Sequence, residues 1–143
     1  MKLYFDTAYL GKCYWNEPDG KAVRKLARQA GGLYSSAICI AEMACLAHRK
    51  VREGPATPAD ATIRQDWFLD DLRTGVVTAI PVTERILRRA ESATRLLPPS
   101  CHLRALDALH LMTAADSGFT EFWTNDRHML AAASHFGLTG RSV

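Results

Sequence analysis

The chain reads as an α/β protein, a sandwich of helices around a mostly parallel sheet, and three observations carry that reading. Short β-prone runs alternate with stretches of helical periodicity along the whole chain. Glycine and proline fall between these stretches rather than inside them. Two of the β-prone runs lead directly into aspartates, Asp6 and Asp126, and the ends of parallel strands are where such sheets carry chemistry.

The elements follow in order. Leu3 to Phe5 is an apolar run expected as the first strand, and a helical stretch follows Asp6 as far as Tyr14, before the turn residues Asn16-Glu17-Pro18-Asp19-Gly20. A second helix, about Lys21 to Ala30, stops at Gly31-Gly32. Leu33-Tyr34-Ser35 gives a short strand, and Ser36 is suited to cap a helix carrying Ile38, Ile40, Met43, Leu46 and Ala47. Gly54-Pro55-Ala56 is loop, and Thr57-Pro58 is a cap and first-turn pair for a helix with Ile63, Trp67, Phe68 and Leu72 that stops near Gly75. Val76 to Val82 is the clearest β-branched run. Thr83 then caps a helix with Ile86, Leu87, Ala90 and Leu97 on its apolar side, until Pro98-Pro99 forbids continuation. A helix from about Leu103 to Ser117, a strand at Phe122 to Thr124 and a helix from Arg127 to His135 complete the chain. No repeat, low-complexity tract or linker interrupts it, so a single domain over residues 1–143 is expected. Right-handed crossovers bring the loops after parallel strands to one edge, where Asp6 and Asp126 become neighbours.

Composition narrows the functional classes. With 48% hydrophobic residues in 143, the chain is large enough for a core without staples. It has no apolar stretch of membrane-spanning length and begins directly on a strand, so a cytoplasmic protein with no membrane association is expected. Cys13, Cys39, Cys45 and Cys101 lack ligand spacing, which argues against zinc. Cys39 and Cys45 are read as small buried hydrophobes in a helix. A net charge of +3 is too small to name a polyanion partner. Basic residues do cluster, at Arg24-Lys25 with Arg28, at His48-Arg49-Lys50 with Arg52, and at Arg85, Arg88, Arg89 and Arg95.

Two further acids demand explanation. Glu42 and Asp107 interrupt apolar helix faces, in Ile38-Cys39-Ile40-Ala41-Glu42-Met43 and Leu106-Asp107-Ala108-Leu109-His110. Taken singly, each acid has a plain structural role: Asp6 as turn former or cap, Asp126 as cap of the last helix, Glu42 paired with His48 or an arginine, Asp107 paired with Arg104 or His110. Taken together, carboxylates forced into one pocket repel one another unless a cation sits among them. Oxygen-only donors suit hard divalent ions such as Mg2+ or Mn2+, and the matching chemistry is hydrolysis of a phosphate ester by a metal-activated water. His110 alone on an apolar helix is read as a core or supporting residue, not a ligand. Arg104, one turn before Asp107, either clamps a substrate phosphate or neutralises the pocket.

The ordered motifs Phe5-Asp6-Thr7-Ala8, Ser35-Ser36-Ala37-Ile38-Cys39-Ile40-Ala41-Glu42, Leu103-Arg104-Ala105-Leu106-Asp107-Ala108-Leu109-His110 and Thr124-Asn125-Asp126 resemble a PIN domain of the VapC toxin type. That resemblance implies a three-layer α/β/α fold and a metal-dependent endoribonuclease using Mg2+ or Mn2+. It further implies a homodimer and a cognate VapB-like antitoxin as inhibitor. Asp6, Glu42 and Asp107 match the central metal-holding acids, Asp126 the more variable fourth, and Thr7 and Thr124 the hydroxyls that orient them; Asn125 shares their turn. Two other classes compete: a non-catalytic PIN-like module that binds RNA or protein, and a phosphatase. The second is disfavoured, because Asp6 is followed by Thr7-Ala8 and lacks the second acid of an Asp-x-Asp nucleophile motif.

Overall fold

The computed structural model describes residues 1–143. Strands β1 (Lys2–Tyr4), β2 (Gly32–Ser36) and β3 (Val77–Ile80) pair in parallel, with Leu3 beside Leu33 and Leu33 beside Val77. Strands β4 (Glu121–Trp123) and β5 (Thr139–Arg141) form a second parallel pair. A bridge between Phe5 and Trp123 joins the two, and the Asp6 amide donates to the Trp123 carbonyl at 3.2 Å. The strands therefore lie in the order β3-β2-β1-β4-β5, all pointing one way.

Period-two alternation sorts the strand side chains onto two faces. Leu3, Phe5, Leu33 and Val77 pack with Tyr9 and Leu10 of α1 (Thr7–Gly11), Val23 of α2 (Gly20–Gln29), Met43 of α3 (Cys39–Arg52) and Phe68 of α4 (Pro58–Thr74). Tyr4 and Phe122 face the other way, against Ile86 of α5 (Glu84–Arg95), Leu111 of α6 (Ala105–Asp116) and Met129 of α7 (Arg127–Ala132). The result is a three-layer α/β/α sandwich.

Local chemistry explains most element ends. Thr57 Oγ1 accepts the Asp60 amide at 3.1 Å and Pro58 opens α4, while Gly75, at φ 81°, supplies the left-handed residue that ends it. Thr83 caps α5 through the Ile86 amide at 3.2 Å. Gly11 matters for packing: a Cβ there would meet Leu46 Cδ2 at 2.6 Å, so its absence lets α1 lie close on α3.

Several expectations are corrected. Ser36 does not cap a helix; it ends β2, its hydroxyl takes the Ile38 amide at 3.3 Å, and α3 begins at Cys39. The helix after Asp6 stops at Gly11 and continues only as turns to Trp15. The run from Val76 to Val82 shortens to β3, since Pro81 has no amide to pair. The last helix splits into α7 and a 3-10 turn over Ala133–Phe136, and β5 follows unforeseen. On α3 Cys45 is exposed, and on α4 only Phe68 is fully buried, with Ile63 and Trp67 open to solvent. All four cysteines are free. No helix is long and apolar enough to cross a membrane.

Candidate acidic site

The strand ends and four helix N-termini meet at one edge of the sheet, and each carries an acid. Asp6 follows β1 and caps α1; its Oδ1 accepts the Tyr9 amide at 2.8 Å. Asp126 follows β4 and caps α7, its Oδ1 accepting the His128 and Met129 amides at 2.8 and 3.2 Å. Glu42 and Asp107 lie in the first turns of α3 and α6. Helix N-termini favour negative charge, so four such ends converging on one place offset part of the cost of gathering carboxylates.

Hydroxyls and an imidazole hold the acids. Thr124, fully buried, donates to Asp6 Oδ2 at 2.5 Å and accepts the Asp126 amide at 2.9 Å, so one side chain ties two acids together. Thr7 donates to Glu42 Oε1 at 2.7 Å. His110 Nε2 lies 2.7 Å from the same oxygen. An ionised carboxylate only accepts, so Nε2 carries the proton; in the neutral ring Nδ1 then accepts the Tyr4 hydroxyl, 2.9 Å away. Glu42 thus pairs with His110, across 68 positions of sequence, rather than with His48 or an arginine.

Electrostatics divides the acids into two kinds. Burial pushes the Asp6 carboxyl, only 4% exposed, above its usual range; Thr124, His110 and Tyr9 pull it back, and Asp126 adds repulsion. Asp107 is raised by the same two causes, burial first and then Asp126, against the Arg104 amide and charge. For Glu42, burial also works upward, but the hydrogen bonds from His110 and Thr7 outweigh it and hold the carboxyl below its usual range. Asp6 and Asp107 therefore carry negative charge that the protein itself does not fully compensate.

The remaining expected residues sit around this cluster. Arg104 points into solvent, its side chain 90% exposed and its Nε 3.9 Å from Asp107 Oδ2; its amide reaches the same oxygen at 3.4 Å. Asn125 turns away from the acids and donates to Asp19, which also takes Lys12 Nζ at 2.7 Å. Tyr4, Asp19 and Lys12 had no signal in the sequence. His110 had one, its one-turn spacing from Asp107.

The donor set fits a hard divalent cation. Glu42 Oε2, Asp107 Oδ1 and Asp126 Oδ2 receive no hydrogen bond from the protein, which leaves them available as ligands. As they stand, no three of these groups are close enough together to enclose an ion.

A five-stranded, all-parallel α/β/α sandwich with acids gathered at the carboxyl edge of its sheet defines a class of protein. The model of the PIN domain family matches residues 3–134, and the chain belongs to that family. Among solved structures, the fold is similar to a chain in the crystal structure of VapBC2 from Rickettsia felis bound to a DNA fragment from their promoter. The TM-score is 0.70 at 15% identity, over 100% of this chain and 99% of the other. No curated protein sequence matches.

Proposed function

We propose that this chain is a metal-dependent endoribonuclease, a VapC-type toxin built as one PIN domain over residues 1–143. The observation that carries the reading is the convergence of Asp6, Glu42, Asp107 and Asp126, each at a helix N-terminus, on one edge of the parallel sheet, with Thr124 tying Asp6 to Asp126. Family membership supports it, and so does the likeness to a chain of the VapBC2 complex.

On this reading Asp6, Glu42, Asp107 and Asp126 hold Mg2+ or Mn2+. When bound, the ion supplies a water of lowered pKa and stabilises charge building on the phosphate. The chain's own contribution is positional. Thr124 fixes Asp6 and the Asp126 backbone, Thr7 and His110 fix Glu42 as an ionised acceptor, and Arg104, exposed and only loosely paired with Asp107, lies at the rim to meet a phosphate oxygen. A cognate VapB-like antitoxin, a homodimer and a cytoplasmic setting belong to the same proposal.

A second reading, a non-catalytic module, draws on the spacing of the acids, no three of which enclose an ion. One experiment separates the two. Cleavage of a mixed-sequence RNA pool is followed while Mg2+ or Mn2+ is titrated, with wild type and Asp107→Asn. The nuclease reading requires metal-dependent cleavage that falls about a hundredfold or more in the variant, with circular dichroism unchanged. Absence of metal-dependent cleavage, or equal rates, refutes it.

A further inference from the structure

Beyond Glu42, the same face of α3 runs into a cavity of about 440 Å³. Its walls include Thr7, Glu42, Leu46, Arg49, Arg52 and Leu106. Leu106 belongs to the first turn of α6, next to Asp107, so the cavity borders Glu42 and adjoins the turn that carries Asp107. Arg49 lies seven positions beyond Glu42, within about 20° of it around the helix, and Arg52 ten positions beyond, about 80° to one side, at about 10 and about 15 Å along the axis. The cavity joins an acidic end, an apolar middle and a cationic end.

The three basic clusters of the chain differ in what their charges already do. Around α5, Arg85 and Arg89 are bound to Asp116 at 3.0 and 2.5 Å, Arg88 to Glu84 at 3.1 Å and Arg95 to Glu91 at 3.4 Å. On α2, Arg24 and Arg28 line a cavity of about 510 Å³ bounded by Gly31, Gly32, Val76 and Val77. Those residues begin β2 and β3, so that cavity is at the edge opposite the acids. On α3 Lys50 is turned to Glu17 at 2.8 Å, but Arg49 has no carboxylate partner. Arg52 has only the exposed Glu53 at 3.6 Å, a pair of little strength. Only this cluster is both beside the acids and uncommitted.

We infer that the cavity is a nucleotide subsite: it receives the single-stranded RNA residue adjoining the phosphate to be cut, with Arg49 and Arg52 on its backbone phosphate and Leu46 and Leu106 against its ribose and base. This rests on the nuclease reading and deepens it. Guanidinium groups suit the phosphate because their forked donors match its oxygens. The volume fits one unpaired nucleotide, and unpaired bases are the ones that proteins splay out and seat on apolar walls.

The test is fluorescence anisotropy of a labelled, mixed-sequence single-stranded RNA 12-mer in chelator, so that binding is read without turnover. Wild type is compared with Arg49→Ala/Arg52→Ala and with Arg88→Ala/Arg95→Ala, all four arginines being exposed. The first pair should weaken binding about tenfold or more and flatten the salt dependence by about 0.7 in the log-log slope, the share of one neutralised phosphate on a single strand. The second pair should stay within about twofold. With Mn2+ added, KM should rise in the first pair far more than kcat falls. Unchanged affinity and KM in Arg49→Ala/Arg52→Ala, or an equal loss in the control pair, overturns the subsite even where wild type cleaves RNA. A wild type that neither binds nor cleaves RNA overturns the nuclease reading beneath it.

Discussion

Thr124→Val tests the joint between Asp6 and Asp126 without touching either acid. The substitution keeps the shape of a fully buried side chain and deletes the hydroxyl that donates to Asp6 Oδ2 at 2.5 Å and accepts the Asp126 amide at 2.9 Å. A bond to a charged acceptor is worth about 1.5–3 kcal/mol, and a buried amide left unpaired costs about 1–3 kcal/mol. The Asp126 amide is only part-buried, so its share belongs at the low end. The sum is about 3 kcal/mol, a fall in Tm of roughly 10 °C for a chain of this size. Thr124→Ser keeps the hydroxyl and loses one buried methyl, about 1 kcal/mol. The pH dependence has a definite sign. The folded Asp6 carboxyl is raised above its ordinary value, so the folded state holds the extra proton and stability falls as pH rises through the interval between the two. Losing a bond to the charged form raises it further. The valine deficit is therefore greatest at neutral pH and shrinks as pH falls and the raised carboxyl takes up its proton. Thermal unfolding in chelator at pH 8 and near pH 4 reads both effects. A valine variant that melts within about 3 °C of wild type, or a deficit indifferent to pH, refutes the reasoning.

Two other perturbations probe different links. His110→Phe removes a donor from Glu42, whose depressed carboxyl then rises; the stability that Glu42 contributes above its unfolded value shrinks, and on the proposed nuclease reading the acid limb of RNA cleavage moves to higher pH. An acid limb that stays in place counts against the pairing. On α4, Phe68→Ala empties a fully buried position and should cost about 3–5 kcal/mol by denaturant unfolding, whereas neighbouring Trp67→Ala, at a position 55% exposed, should cost under about 1 kcal/mol. Equal costs would mean that the burial pattern of this helix is wrong.

How far the sequence announces this structure depends on whether the signal is local. Thr57-Pro58 and Gly75 mark α4, and Thr83 marks α5, because caps and left-handed glycines act over three or four residues. The strands β1 and β4 are legible for the same reason, as apolar runs leading into Asp6 and Asp126. Strand β5 is not, because Thr139-Gly140-Arg141 has no apolar pattern; it exists through its pairing with β4, with Gly140 so close to Leu130 that a Cβ would lie 2.9 Å from Cδ2. The buried face of α4 is not legible in its sequence, because aromatic content does not decide burial: Phe68 is buried, while Trp67 points outward, with the Arg64 guanidinium 5.9 Å from its ring centroid. The pairing of Glu42 with His110 is wholly nonlocal. Nothing within one turn of Glu42 indicates it, and His48, close by in sequence on the same helix, was the plausible wrong answer.

That pairing explains why the acids at this edge are not equivalent. All four sit at helix N-termini, so the dipole alone cannot distinguish them. The difference lies in what each carboxylate receives beyond the helix. Glu42 has a hydroxyl and an imidazole on one oxygen, from two separate layers of the sandwich, and these suffice to keep it ionised despite burial. Asp6 has one hydroxyl and one amide but is buried more deeply, and Asp107 has only the distant Arg104 amide; both also feel Asp126. The protein thus compensates Glu42 by itself and leaves Asp6 and Asp107 short. Were a divalent cation to bind at this edge, Glu42 would meet it with a carboxylate whose ionisation the protein already favours, whereas Asp6 and Asp107 would ionise only above their ordinary range, so affinity for the ion should rise with pH through that interval.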